Sequence, residues 1–265
     1  MPEPILYEGH WWYQHENGAW SRWDEAASQW MPYLPTSRAP LFSSISNLGR
    51  WVVRVVALDM LIAVILGIIG VNLLATSNRF ASSDPEQIFE GFFAQMTLFN
   101  LLSVFWYVTA IVFLIWFYRA YQNMAALGVY ARWSSGWAIG AWLIPILNLF
   151  RPKQMADDIW RSSDPTLPEN PGHLWLSGKV APLLHYWWAA WILSSFAPLL
   201  TMPFMFAGLD VNASPGPFFA RFFGMFIATV GLGRLVAGAF AIPVVRQMTA
   251  RQEYRAQKLG APRGP

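Results

Sequence analysis

The sequence predicts a mainly α-helical membrane protein with four transmembrane helices, a short re-entrant or interfacial helical segment and a small N-terminal β-meander. Four long apolar stretches divide the chain, at residues 51–75, 98–118, 180–206 and 218–245. Each is at least as long as the roughly 20 residues that a helix needs to cross the hydrocarbon core. Only 12% of the residues are charged and the mean hydropathy is +0.32, whereas soluble domains carry about 25% charged residues.

The distribution of basic residues predicts how these helices are oriented. Of the 18 Lys and Arg residues, only Arg79 and Arg221 fall at the end of the helices that four spans would place outside the cell. Cytoplasmic loops of membrane proteins are enriched in Lys and Arg, so we expect both termini in the cytoplasm. The apolar stretch at 137–150 is short and contains Pro145. A fifth span there would carry the basic C-terminal tail outside, so we expect a re-entrant or interfacial segment.

The N-terminal residues 1–33 predict a separate cytoplasmic β-module rich in Trp. Strands are expected at residues 10–14, 19–23 and 29–32, with Asn17-Gly18 as a hairpin turn. A meander this short cannot bury all its large aromatic side chains on one face. We expect one set to form the core and the other to form an exposed apolar patch, which typically marks an interaction site. The candidate surface residues are Trp11, Trp12, Trp20, Trp23 and Trp30.

Three further segments complete the predicted organisation. Residues 34–50 form a Pro- and Ser-rich linker, residues 51–246 the four-helix transmembrane domain and residues 247–265 a basic cytoplasmic tail. Small residues recur every four positions at Gly233, Ala237 and Ala241 in the last span. Such a face permits close helix packing, and it also allows a homo-oligomer.

Two ionisable residues lie inside the predicted spans and are the main candidates for a functional site. Asp59 and Arg234 both lie roughly 12–16 Å from the cytoplasmic ends of their helices at 1.5 Å per residue. A charged residue near the bilayer centre costs about 2.5–3.5 kcal/mol, so it suggests a function by default. A static ion pair between the two, a proton or substrate relay, and snorkelling towards the interface are the three interpretations.

The short apolar segment ends in polar residues that allow two interpretations. Asn148 either presents its amide at the floor of a cavity or caps the following helix, with Pro152 in its first turn. Asp157 and Asp158 lie on that helix at adjacent positions, which do not share a face. We therefore expect them to form part of a solvated surface.

The composition also indicates which kinds of functional site are not expected in this protein. The chain has no Cys, and its 4 His residues do not form a ligand pattern, so we expect no metal and no cofactor. No nucleophile motif or phosphate-binding loop is present, and we expect no catalytic residues. The basic residues flank apolar stretches, which favours membrane anchoring over nucleic-acid binding.

Several motifs resemble a bacterial membrane family known as domain of unknown function 4328, over residues 51 to 252. The most specific is Pro145-Ile-Leu-Asn148-Leu-Phe-Arg151-Pro152. The resemblance implies a bacterial multi-pass protein of the cell membrane and no mechanism. The N-terminal module resembles WW-like modules through Trp12, Trp30 and Pro32, although it is shorter. The residues that carry the family resemblance are Arg119, Asn123, Gly136, Trp137, Pro145, Asn148, Arg151, Pro152, Trp160, Trp187 and Trp188.

Two functional hypotheses follow from these features. The first is a non-catalytic integral membrane protein that recruits a cytoplasmic protein partner through residues 1–33. The alternative is a small transporter or ion or proton pathway that uses Asp59 and Arg234 near the broken segment.

Overall fold

The computed structural model describes residues 4–7, 10–15, 20–25, 28–32, 41–81, 84–169, 171–201, 203 and 215–262. A small N-terminal sheet precedes a helical domain. The strands are β1 (Ile5–Tyr7), β2 (His10–Gln14), β3 (Trp20–Asp24) and β4 (Gln29–Pro32). The helices are α1 (Ser46–Thr76), α2 (Pro85–Ala126), α3 (Trp137–Leu143), α4 (Arg151–Ser162), α5 (Pro182–Leu200) and α6 (Pro215–Lys258).

The sheet is an antiparallel meander in the order β1-β2-β3-β4. The sequence predicted three strands, and the structure adds β1, which pairs Ile5 with Trp12 and Leu6 with Trp11. A strand of three residues is too short to show the alternation of polar and apolar residues that identifies strands. The predicted Asn17-Gly18 turn lies outside the described residues.

Among the residues that the structure describes, three helices are long and apolar enough to cross a membrane. They occupy Ser46–Phe80, Phe89–Ala126 and Gly216–Lys258. The first and last are longer than the predicted spans because α1 begins at Ser46 and α6 continues to Lys258. Helix α5 has 19 residues and is not one of these three helices.

Helices α1 and α6 pack against each other over most of their length, and glycines allow their backbones to touch. A side-chain carbon at Gly231 would lie 2.6 Å from the carbonyl oxygen of Ala63, and one at Gly70 would lie 2.4 Å from the amide nitrogen of Ala228. On α6 the glycines that face α1 are Gly224, Gly231 and Gly238. Their seven-residue spacing places them on one face of the helix.

The small-residue face predicted from Gly233 has a different neighbour. Gly233 contacts Ser194 of α5, whose hydroxyl lies 2.8 Å from the carbonyl oxygen of Gly233. At this position the small residue accommodates a helix of the same chain.

Side-chain contacts fix the relative directions of the helices. Arg221, near the start of α6, donates hydrogen bonds to Ser77 and Asn78 just after α1. Glu253, near the end of α6, accepts hydrogen bonds at the start of α1. The two helices are therefore antiparallel, and the start of α1 lies beside the end of α6.

The hydrophobic core is concentrated at this end of the helical domain, which we call the packed end. It consists of the starts of α1 and α5, the ends of α2 and α6, and helices α3 and α4. Its buried side chains include Ile45, Trp116, Ile159, Trp175, Leu184 and Val245. Away from the packed end the helices expose apolar residues such as Leu61, Ile68, Leu101 and Leu232. Exposed apolar side chains on long helices are suited to contact with lipid.

Candidate functional site

Asp59 and Arg234 lie together between α1 and α6. The sequence predicted this common level from their distances to the ends of their helices. Asp59 Oδ1 is 3.7 Å from Arg234 Nη1, and both side chains are largely buried. Arg234 Nη2 also donates a hydrogen bond of 3.4 Å to the Ser103 hydroxyl of α2. The cluster therefore joins three helices.

The ion pair is incompletely satisfied. Asp59 Oδ1 and Arg234 Nη1 are buried, and neither atom has a hydrogen-bond partner among the described residues. A buried charge pair held by attraction without a hydrogen bond regains little of its desolvation cost. Removing one partner is far more unfavourable, because the other charge then remains buried and unpaired.

The short apolar segment forms α3, followed by a turn of 3₁₀-helix at Leu147–Leu149. Asn148 lies in that turn, and its Oδ1 is buried without a hydrogen-bond partner in the part of the chain that the structure describes. The capping alternative for Asn148 is wrong, because the residue at the N-cap of α4 is Phe150. Pro152 does lie in the first turn of α4, as expected, and it is buried.

The expectation that Asp158 belongs to a solvated surface is wrong. Asp158 is 0% exposed and accepts two hydrogen bonds from the guanidinium group of Arg132, one of them 3.0 Å long. Burial raises the pKa of the Asp158 carboxyl above its ordinary value, and the hydrogen bonds from Arg132 counter that rise. Its neighbour Asp157 pairs with Lys153 at 2.5 Å.

Trp133 lies between two basic side chains next to this ion pair. The guanidinium carbon of Arg132 is 4.5 Å from the Trp133 ring centre, and that of Arg151 is 4.3 Å away. Cation–π contacts of this kind fix the loop that precedes α3 onto the start of α4.

The other motif residues divide into buried and exposed groups. Asn123, Trp160 and Trp187 are buried, whereas Trp188 is partly buried and donates a hydrogen bond of 3.3 Å to the Leu149 carbonyl. The exposed members are Arg119, Gly136, Trp137 and Pro145. The motif therefore describes mainly the packing of the packed end.

The Trp residues of the module lie on both faces of the sheet. The strand register places Trp11, Trp23 and Trp30 on one face and Trp12 and Trp20 on the other. No Trp of the described sheet is fully buried, and the division into a core set and a surface set stays a prediction. Trp11 is 46% exposed and the other four are half-buried.

One face of the sheet forms an aromatic groove, which consists of Pro4, Trp11, Trp23 and Trp30. Its volume is about 420 Å³. The Trp23 and Trp30 rings meet edge to face with their centres 5.4 Å apart. Tyr13 packs on Trp30 from the same face, at 5.7 Å between centres.

A family model described as a domain of unknown function, DUF4328, matches residues 83–250. The chain belongs to this family. No curated protein and no solved structure matches the chain. The DUF4328 match includes α2 to α5 and most of α6, whereas the module and α1 precede it. Arg234 is therefore inside the matched range, and its partner Asp59 is outside.

The sequence did not identify the residues that connect the packed end of this DUF4328 protein. The predicted basic tail contains Arg255, which is 1% exposed. Its guanidinium group donates hydrogen bonds to four backbone carbonyls, those of Leu127, Asp164, Leu167 and Pro168, at 2.7–3.2 Å. Arg255 thus joins the end of α2 to the loop after α4.

Two neighbouring residues of α6 connect the end of this helix to the start of α1. Gln252 is 0% exposed and interacts with Asn123, which in turn forms two hydrogen bonds with the backbone of Ser43. Glu253 Oε1 accepts hydrogen bonds from the amides of Ile45 and Ser46, at 2.8 and 3.1 Å. The helical spacing of Gln252, Arg255 and Ala256 was the available signal, because it puts three buried residues on one face.

No group of three or more His, Asp or Glu side chains is arranged to hold a metal ion in the described ranges.

The Asp59–Arg234 pair gives a prediction about stability. Asp59→Ala or Arg234→Ala alone should lower the thermal midpoint in detergent more than the double substitution does, because each leaves a buried charge unpaired. Breaking a buried pair in this way costs about 3–5 kcal/mol. A double-mutant cycle measures the coupling. If the two single effects simply add, the residues are not energetic partners.

Proposed function

We propose that this DUF4328 protein is a non-catalytic, four-span protein of the bacterial cell membrane whose N-terminal module binds a protein partner in the cytoplasm. Three parts make up the proposal: the fourth span, the orientation and the binding surface. The aromatic groove on the sheet is the observation that carries the binding function.

Support for a fourth span comes from the direction of the helices. Helices α2 and α6 run parallel, because Phe99 contacts Phe226 and Trp116 donates a hydrogen bond to Thr249. The chain must therefore return between them. Helix α5 runs antiparallel to α6, since Tyr186 contacts Phe240 and Ser194 contacts Gly233. Its 19 residues extend about 28 Å, close to the thickness of the hydrocarbon core.

Support for the orientation comes from the charges at the two ends of the helical domain. The described basic residues of the packed end include Arg119, Arg132, Arg151, Lys153, Arg161, Lys179 and Lys258. At the opposite end they are Arg79 and Arg221, next to Asp84, Glu86 and Glu90. The positive-inside rule therefore favours a cytoplasmic packed end, with both termini on that side.

Reporter fusions measure this topology directly. Fusions at five positions should read inside, outside, inside, outside and inside, because the Lys and Arg residues remain in the cytoplasm. The positions are Pro35, Ala81, Asp164, Asn212 and Gly260. An outside reading at Gly260 would contradict four spans and make the segment at 137–150 a true span.

The aromatic groove is suited to an extended apolar peptide. Three Trp rings on one face provide a large apolar surface, and each indole also carries an N–H donor, a combination that suits Pro-rich or extended segments. The groove is open, and its Trp11 is 46% exposed. An exposed apolar patch on a small sheet commonly marks an interaction surface.

Cross-linking of the full-length protein in cells tests partner binding. The Trp11→Ala variant should lose its specific cross-linked partners, because Trp11 lines the groove and contributes little to folding at its exposure. The matched control is Trp20→Ala, which alters the opposite face of the same sheet. Equal partner profiles for the two variants would contradict groove binding. If the Trp11→Ala variant keeps its cross-linked partners and loses only binding to lipid vesicles, the module is an anchor to lipid headgroups.

A transport function is the second candidate. It is supported by the polar cluster of Asp59, Arg234 and Ser103, to which three membrane helices contribute. Intramembrane ionisable residues are common in ion and proton pathways. A static ion pair accounts for the same geometry, so additive effects in the double-mutant cycle would remove the main support for transport.

A further inference from the structure

A basic groove lies between the start of α1 and the end of α6, distinct from the aromatic groove of the module. Its volume is about 640 Å³. The polar side chains that line it are Arg50, Arg54, Arg246, Ser46, Thr249 and Glu253. Arg50 and Arg54 are one helical turn apart on α1, and Arg246 faces them from α6.

The three arginines of the basic groove are not neutralised by acidic groups. No carboxylate forms an ion pair with any of them in the part of the chain that the structure describes. Arg50 donates to the side-chain oxygen of Asn47, and Arg54 lies over the ring of Trp51 at 5.1 Å. Like charges at this spacing repel one another, so an anion in the groove would stabilise the folded state.

Glu253 does not offset this charge fully. Its Oε1 already accepts hydrogen bonds from the Ser44 hydroxyl and from the amides of Ile45 and Ser46, at 2.6–3.1 Å. The carboxylate therefore stabilises the N-terminus of α1, where the helix dipole is positive. A groove with three guanidinium groups and one engaged carboxylate keeps a net positive charge.

The apolar surface next to the basic groove indicates what kind of anion fits. Leu58, Leu61, Ile65 and Ile68 continue the α1 face of Arg50 and Arg54, and all four are 46–64% exposed. Trp51, at the level of the groove, is 55% exposed, as is common for Trp at a membrane interface. One helix face thus presents two arginines with an exposed Trp at the same level, followed by an apolar stripe. A molecule that matches this sequence has an anionic head and an apolar tail.

We propose that the basic groove binds the phosphate group of an anionic phospholipid, with its acyl chains along the apolar stripe of α1. Guanidinium groups form paired hydrogen bonds with phosphate oxygens, and Arg is favoured for this contact. The proposal requires α1 and α6 to lie in a membrane, and it is independent of the module and of which leaflet the groove faces.

Native mass spectrometry of the full-length protein in detergent tests this site. The protein is titrated with phosphatidylglycerol and with phosphatidylcholine of the same acyl chains. Each positive charge near an anionic headgroup contributes enough for about a five-fold preference, so we expect at least a tenfold preference for phosphatidylglycerol. The Arg54→Gln/Arg246→Gln variant should lose this preference.

The matched control is Arg119→Gln/Lys179→Gln, which removes two exposed positive charges outside the basic groove. It should keep the preference. A second variant, Ala250→Glu, adds a carboxylate at an exposed position of the groove and leaves every arginine in place. It too should lose the preference, and it tests the site even if the double substitution disturbs folding.

Three results would overturn the proposal. The first is a wild-type protein that binds phosphatidylglycerol and phosphatidylcholine equally. The second is an equal loss of the phosphatidylglycerol preference in the groove variants and in the control variant, which would indicate binding to diffuse surface charge. The third is full displacement of the lipid by millimolar inorganic phosphate or glycerol phosphate, which would assign the groove to a soluble phosphate compound.

Discussion

The contact between α1 and α6 is the interaction on which the rest of this structure depends. At Gly70 and Gly231 the two backbones approach so closely that no side-chain carbon fits between them. Helices in lipid associate through van der Waals packing of small residues, because lipid is as apolar as their own side chains. This contact sets the level at which Asp59 meets Arg234. The same two helices form the walls of the basic groove, since every residue that lines it belongs to α1 or α6.

Helix α6 continues from this contact into the packed end. There its side chains form hydrogen bonds with backbone groups of the loops and of the start of α1. Arg255 donates hydrogen bonds to the carbonyls of four residues, and Glu253 accepts hydrogen bonds from the amides at the start of α1. Buried polar groups of this kind are costly unless every one is paired. These hydrogen bonds connect the end of α6 to the first residues of α1 and to the loop after α4.

The sequence predicted the long apolar helices, the family and the common level of Asp59 and Arg234, because hydropathy and residue counts along one helix are local properties. It did not predict the partners of Asp158 and Arg255, since the partners of a buried charge depend on which helix face is turned inward and on which loops pack against it. The helix containing Asp158 was short, and its neighbouring Asp157 made the whole stretch resemble a solvated surface. The glycines of α6 illustrate the same limit. The four-residue spacing of Gly233 and Ala237 predicted a face for close helix packing. The face that meets α1 is instead the one formed by Gly224, Gly231 and Gly238, which are seven residues apart.

The central claim, that the backbone contact of α1 with α6 determines the stability of the helical domain, is tested most directly with a pair of glycine variants. A Cβ atom at Gly231 would meet Ala63 and Gly67 backbone atoms at 2.6–2.8 Å, whereas one at Gly67 meets nothing within 4 Å. Thermal unfolding in detergent should show a loss of about 1–3 kcal/mol for Gly231→Ala, because overpacking forces the helices apart. Gly67→Ala should be neutral or stabilising by up to about 1 kcal/mol, because Ala has the higher helix propensity. Equal midpoints for the two variants would contradict the claim.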